Sequence, residues 1–108
     1  MAEIERHPAV VAEDLPKIYA TIARDNPAAA ERVLDAVEVT FDLLAREPAA
    51  GVAYLTRNAK LRGLRMLPVI GFRNYLVFHR IAGERVRILY VTHGARHLLR
   101  LFRRSQRE

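Results

Sequence analysis

The spacing of apolar residues changes three times along the chain, and each change marks an element. Residues 4–7 read as a short strand ahead of Pro8, suited to a sheet edge, where short strands are tolerated. From Val10 the spacing turns helical: Val11, Leu15, Ile18 and Ile22 recur on one face, with Tyr19 beside them. Pro16 falls inside this pattern, where a proline removes a helical hydrogen bond and clashes one turn back. The expectation is a kink, or a short first turn with the main helix beginning at Pro16. Asp25-Asn26-Pro27 then stops one helix and starts another, with Asn26 as its cap and Pro27 as its first residue. Up to about residue 47, Ala30, Val33, Leu34, Val37, Phe41, Leu44 and Ala45 form one stripe. Glu31, Asp35, Glu38 and Asp42 lie toward the other side, the pattern of an amphipathic helix. Two helices joined by so tight a link form an antiparallel αα-hairpin.

Glu47-Pro48 ends this helix, because the residue before a proline is pushed out of the α region. A loop over 51–60, a strand over 61–67 and a turn over 68–71 follow. Two apolar runs, 75–81 and 86–92, then flank the polar break Ala82-Gly83-Glu84. Both are rich in Val, Ile, Leu, Tyr and Phe, and the Gly permits the positive φ of a tight connection, so they predict an antiparallel hairpin. In its first strand Phe72, Leu76 and Phe78 share one face, and Tyr75, Val77 and Ile81 the other. In its second, Arg85, Arg87, Leu89 and Val91 alternate with Val86, Ile88 and Tyr90. Residues 95–104 close the chain as a helix with Leu98, Leu99 and Phe102 inward and Arg100, Arg103 and Arg104 outward. The order β-α-α-β-β-β-α describes an α+β fold, one domain over 1–108. Its αα-hairpin packs on one face of a small, mostly antiparallel sheet.

Charge sharpens this picture. The net charge of +6 divides into −5 over residues 1–50 (5 Lys/Arg, 10 Asp/Glu) and +11 over 51–108 (13 Lys/Arg, 2 Asp/Glu). A basic C-terminal half suits an acidic partner, although a solvated Arg-rich surface has the same composition. There are no cysteines, which excludes disulfides and thiolate chemistry. No apolar run reaches the ~20 residues of a membrane span and no signal-peptide pattern opens the chain, so a cytoplasmic protein is expected.

Phosphate-loop, zinc-ligand and nucleophile-elbow motifs are missing, and no cofactor or metal is expected. His93 and His97 lie four apart, with no nearby carboxylate or Cys in sequence to complete a metal set. Asp14, Glu31, Asp35, Glu38 and Asp42 read as solvated charge on helix outer faces. The cluster Arg73, Arg80, His93, Arg96, His97 and Arg100 is compatible with two chemistries. Arginines can hold phosphates while a His moves protons in RNA cleavage, or they can receive an acidic peptide. On residue types alone the two stand level.

The stretches Asn26-Pro27-Ala28-Ala29, Gly71-Phe72-Arg73…Tyr75-Leu76-Val77-Phe78 and Val91…His93-Gly94-Ala95-Arg96 resemble the RelE/ParE superfamily of bacterial toxins, its ParE branch in particular. The similarity runs over about residues 3–102. It implies a growth-inhibiting toxin of a type II toxin–antitoxin system, neutralised by a cognate antitoxin. RelE-like members cleave mRNA on the ribosome with basic sheet residues and a C-terminal Tyr, whereas ParE-like members bind and inhibit DNA gyrase. Here Arg96 fits the arginine after the last strand, but Phe102 stands where a nuclease offers Tyr. Only Arg65 marks the first basic strand, and Tyr75 lies where a phosphate-gripping Arg is expected. Phe cannot exchange a proton and an apolar strand cannot grip phosphate, so the departures favour the gyrase binder. The polar cluster directly after the apolar strand, the outward arginines of the last helix and the resemblance just before them together place a target-binding surface at Arg73, Arg80, His93, Arg96, Arg100, Arg103 and Arg104. The alternatives are a ribosome-dependent endoribonuclease using Arg73, His93, Arg96 and His97, with His79 in reserve, or a non-toxic antitoxin-binding relative.

Overall fold

The structure, a computed structural model, describes residues 1–94 and residue 104. The expected helix over 95–104 otherwise lies outside the described residues. Strand β1 (Glu3–Arg6) leads through a π-helical turn (Val10–Asp14) into α1 (Leu15–Ala23), followed by α2 (Pro27–Arg46). The π turn runs straight into α1, with the Leu15 N–H on the Val10 carbonyl, and its extra width is how the chain accommodates Pro16, which in a regular helix would clash one turn back. Asn26 caps α2 as its sequence predicts: its Oδ1 accepts the Ala29 N–H at 3.0 Å, and Pro27 opens the helix. The rest comprises β2 (Val52–Ala53), a 3₁₀ turn (Ala59–Leu61), β3 (Leu64–Val69), β4 (Phe72–Ala82) and β5 (Arg85–His93). Strand β2 and the 3₁₀ turn replace the expected loop. The strand expected over 61–67 begins at Leu64, because Leu61 belongs to the turn, and it runs on through Pro68 to Val69.

The sheet order is β1-β5-β4-β3-β2, with β1 parallel to β5 and every other pair antiparallel. The helices cover one face. There Val33, Val37, Phe41 and Leu44 of α2 pack with Val69, Val77, Val86, Ile88 and Val91 of the sheet. Thr40, fully buried, ties α2 to the β3–β4 turn: its hydroxyl donates to the Ala36 carbonyl and accepts the Ile70 N–H at 3.0 Å. On the opposite face Leu61, Leu64, Phe78, Leu89 and Tyr90 form a second cluster, with Tyr54 set edge-on to Phe78.

The alternation expected along the hairpin breaks at Leu89. Phe78 pairs with Tyr90 and His79 with Ile88, so Leu89 is an extra residue on β5. Such a bulge resets the faces. Leu89 and Tyr90 both join the outer cluster, and Val91 joins Val86 and Ile88 beneath the helices rather than Arg85 and Arg87. Phe72 likewise packs on the helix-face cluster and not with Leu76 and Phe78, beyond a second irregularity between Pro68 and Val69.

Candidate target-binding surface

The β4–β5 hairpin places the candidate residues, and it separates them. At one end β5 stops at Gly94, whose φ of 69° is open to Gly at no steric cost and whose N–H bonds the Asn74 carbonyl at 2.7 Å. Tyr75 pairs in register with His93, and their rings meet edge-on at 5.0 Å. Arg73, Asn74 and His93 are exposed here, so Arg73 and His93 do share one end of the sheet. Arg80 does not join them. Seven residues further along β4, about 23 Å at strand rise, it faces the outer side opposite Arg87. Its Nη2 donates to the Lys60 carbonyl at 3.3 Å. Burial first, and then the charge of Arg87, lower its pKa. Arg96, His97, Arg100 and Arg103 lie outside the described residues.

Arg104 overturns the outward placement expected from helical spacing. It is 7% exposed, and its guanidinium grips the Asp14 carboxylate with Nη1–Oδ2 at 2.6 Å and Nη2–Oδ1 at 2.8 Å. These bonds and the negative charge of Asp14 hold its pKa up against the opposing effect of burial. Asp14, expected on a solvated face, is only 5% exposed. The signal was present: Val10, Asp14 and Ile18 recur every fourth residue, which puts a carboxylate on the buried stripe.

Much of the basic half is answered from within the chain. Glu5 faces Arg85 at 3.2 Å and Arg87 at 3.4 Å. Arg65 donates to the Ala49 carbonyl at 2.6 Å. Arg57, Lys60, Arg62 and Arg73 remain as exposed cations. Among the described residues no group of three or more His, Asp or Glu could hold a metal, and no helix is long and apolar enough to cross a membrane.

His79 is fully buried opposite Arg65, and among the described residues neither ring nitrogen has a hydrogen-bond partner. Burial chiefly, with help from the Arg65 charge, lowers its pKa from 6.5 to about 4; backbone groups of Val77 and Ala50 oppose this only in part. The ring is therefore neutral at pH 7 and closed to substrate. A stability consequence follows from the sign of the shift. The unfolded chain binds the proton near pH 6.5 and the folded chain only near 4, so acidification across that window favours unfolding. Urea midpoints from pH 7 to pH 4 should report a loss of about 3 kcal/mol from this group. His79→Leu should flatten that part of the profile, and an unchanged slope would exclude His79 as its source.

A family model described as the ParE toxin of type II toxin–antitoxin systems, parDE, matches residues 6–98. Among solved structures, the chain is similar to one from a chromosomal ParDE toxin–antitoxin system of P. aeruginosa. The TM-score is 0.69 at 18% identity, over 87% of this chain and 97% of that one. No curated protein sequence matches significantly.

Proposed function

Because the chain belongs to the ParE toxin family of type II toxin–antitoxin systems, we propose that it arrests growth by binding DNA gyrase and is neutralised by a cognate antitoxin. The observation that carries the choice of binding over cleavage is Tyr75, which packs edge-on against His93 where a cleaving relative is expected to hold phosphate with an arginine. A nuclease needs a protonable side chain beside cations that hold phosphate. Among the described residues His79 is buried and neutral, and the strand beside His93 offers Tyr75, a side chain with no positive charge to hold phosphate. What remains at the His93 end is an exposed, rigidly held edge suited to recognition. Exposed Arg57, Lys60, Arg62 and Arg73 favour an acidic antitoxin segment. The similarity to a ParDE system also supports an antitoxin partner.

Expression without antitoxin tests the reading. Induction of the DNA-damage response with intact bulk mRNA is the expected result. Codon-phased mRNA cuts without that response would transfer the protein to the ribosome-dependent endoribonucleases, and absence of growth arrest would leave it an antitoxin-binding relative.

A further inference from the structure

We propose that the open edge of β2 and the cationic turn beyond it receive the antitoxin, through an extended segment whose apolar residues alternate with Asp or Glu. The inference rests on the reading that the chain has an antitoxin partner, and it deepens that reading to a surface and a segment.

Between Glu47 and Glu84 the chain carries Arg57, Lys60, Arg62, Arg65, Arg73 and Arg80 and no carboxylate. The two edges of the sheet are therefore unlike. At one edge β1 brings Glu3 and Glu5 to 4.0 and 3.2 Å from Arg85, and the charges answer each other. At the other edge β2 is the last strand, and Arg57, Lys60 and Arg62 stand exposed with no ion pair among the described residues. Val52 and Leu55 are 57% and 90% exposed there, so apolar area and positive charge lie side by side. The register leaves backbone groups open as well. Tyr54 donates its N–H to the Leu64 carbonyl at 2.8 Å, while Val52 and Ala53 stand opposite Met66 and Arg65. Successive residues of an antiparallel ladder bond to opposite sides, so Ala53 turns its N–H and carbonyl away from β3, toward the open side.

This edge is also held in place, which lowers the ordering cost of binding. Arg65 Nη2 donates to the Ala49 and Gly51 carbonyls at 2.6 and 3.3 Å and so fixes the chain entering β2. Gly51, at a φ of 86°, passes so close to β3 that a Cβ would run into the Met66 carbonyl oxygen. Beyond β2 the Tyr54 ring stands edge-on to Phe78, and the Asn58 side chain accepts the Lys60 N–H at 3.0 Å. Charges on a short edge strand deter indiscriminate pairing. Here the same charges select a strand that brings carboxylates, and the open backbone groups and apolar side chains bind the rest of it. Nucleic acid fits less well. Tyr54 is committed to Phe78, so no exposed aromatic ring waits here for a base, and phosphates leave Val52 and Leu55 unanswered.

The test uses the full chain and the purified antitoxin encoded beside it. Ala53→Pro removes the outward N–H without taking a bond from β3, a change that edge strands tolerate. It should weaken antitoxin binding about tenfold. Reversing Arg57, Lys60 and Arg62 together to Glu should slow association about tenfold and flatten its salt dependence. Both variants should arrest growth as wild type does when expressed alone, yet need more antitoxin for rescue, a split that a misfolded chain would not give. In hydrogen exchange the Ala53 amide should be fast in the free chain and protected in the complex, a readout that stands if Ala53→Pro fails to fold. An Ala53 amide as fast in the complex as in the free chain, or a charge-reversed variant that associates like wild type, would overturn the proposal and leave the antitoxin reading intact. Protection by a single-stranded oligonucleotide but not by antitoxin would give the edge to nucleic acid and overturn it as well. A wild-type chain that binds no antitoxin overturns both.

Discussion

Phe41→Ala should lower the unfolding free energy by about 3–5 kcal/mol. Phe41 is buried where α2 meets the sheet, with Val37 and Leu44 beside it and Val77, Ile88 and Val91 in the same cluster. A well-packed interior cannot collapse freely onto the void left by a ring, so the loss combines transfer and cavity costs. A second contact goes with it. The Arg6 guanidinium lies 4.9 Å from the ring centre while bonded to Glu38, so the ring also supports an ion pair that links β1 to α2. Small domains hold only ~5–15 kcal/mol in total, and this one change removes a large share. Urea denaturation measures it against Val39→Ala, an exposed position on the same helix, expected within about 0.5 kcal/mol of wild type. Equal midpoints for the two variants would show that another helix face bears the core.

The partners of Phe41 show what the sequence could and could not convey. Its place on the α2 stripe was legible, because a helix repeats its face every three to four residues. Of the hairpin's apolar residues, Ile88 lies in its cluster, while Leu76, Phe78 and Tyr90 line the opposite face. Both hairpin strands are apolar on two sides, so composition alone cannot say which side meets the helices. The bulge at Leu89 then inverts the assignment beyond it, and nothing in a run of Ile, Leu, Tyr and Val announces an extra residue. The caps and connections were better specified. Asn26-Pro27 and the Gly83 turn use residues whose chemistry is tied to one local geometry, and both stand where the sequence places them. Strand β2 was missed because two residues are too few to show a period, and it exists through its pairing with Arg65 and Met66. The candidate surface was the least legible part. Arg73, Arg80 and Arg104 look alike in sequence, but one is exposed, one is half-buried at the far end of β4, and one is locked inside. Long-range partners such as Asp14, ninety residues from Arg104, decide which cation is available.

Reversing charge at Arg96 and Arg100 to Glu should abolish growth arrest, whereas His93→Gln and His97→Gln should leave it nearly unchanged. Arg96, Arg100 and His97 follow β5 in sequence outside the described residues, and His93 is placed by the structure. It is exposed at the end of β5, and its ring rests edge-on against Tyr75. Gln keeps a donor and an acceptor there but cannot move a proton near neutral pH. A binding surface tolerates that exchange, because recognition by charge and shape needs no proton transfer. It does not tolerate a carboxylate in place of a guanidinium, which converts attraction for an acidic target into repulsion. Arg73→Glu extends the comparison to a position that the structure shows exposed beside His93, where the fold should be indifferent to the change. A nuclease predicts the reverse ranking for the histidines, since removal of a general acid or base typically costs ~10²–10⁴ in rate. Titrated expression with circular dichroism on the purified variants separates the two. A folded His93→Gln or His97→Gln protein that no longer arrests growth would overturn the binding reading and restore proton transfer at the end of β5 as the source of toxicity.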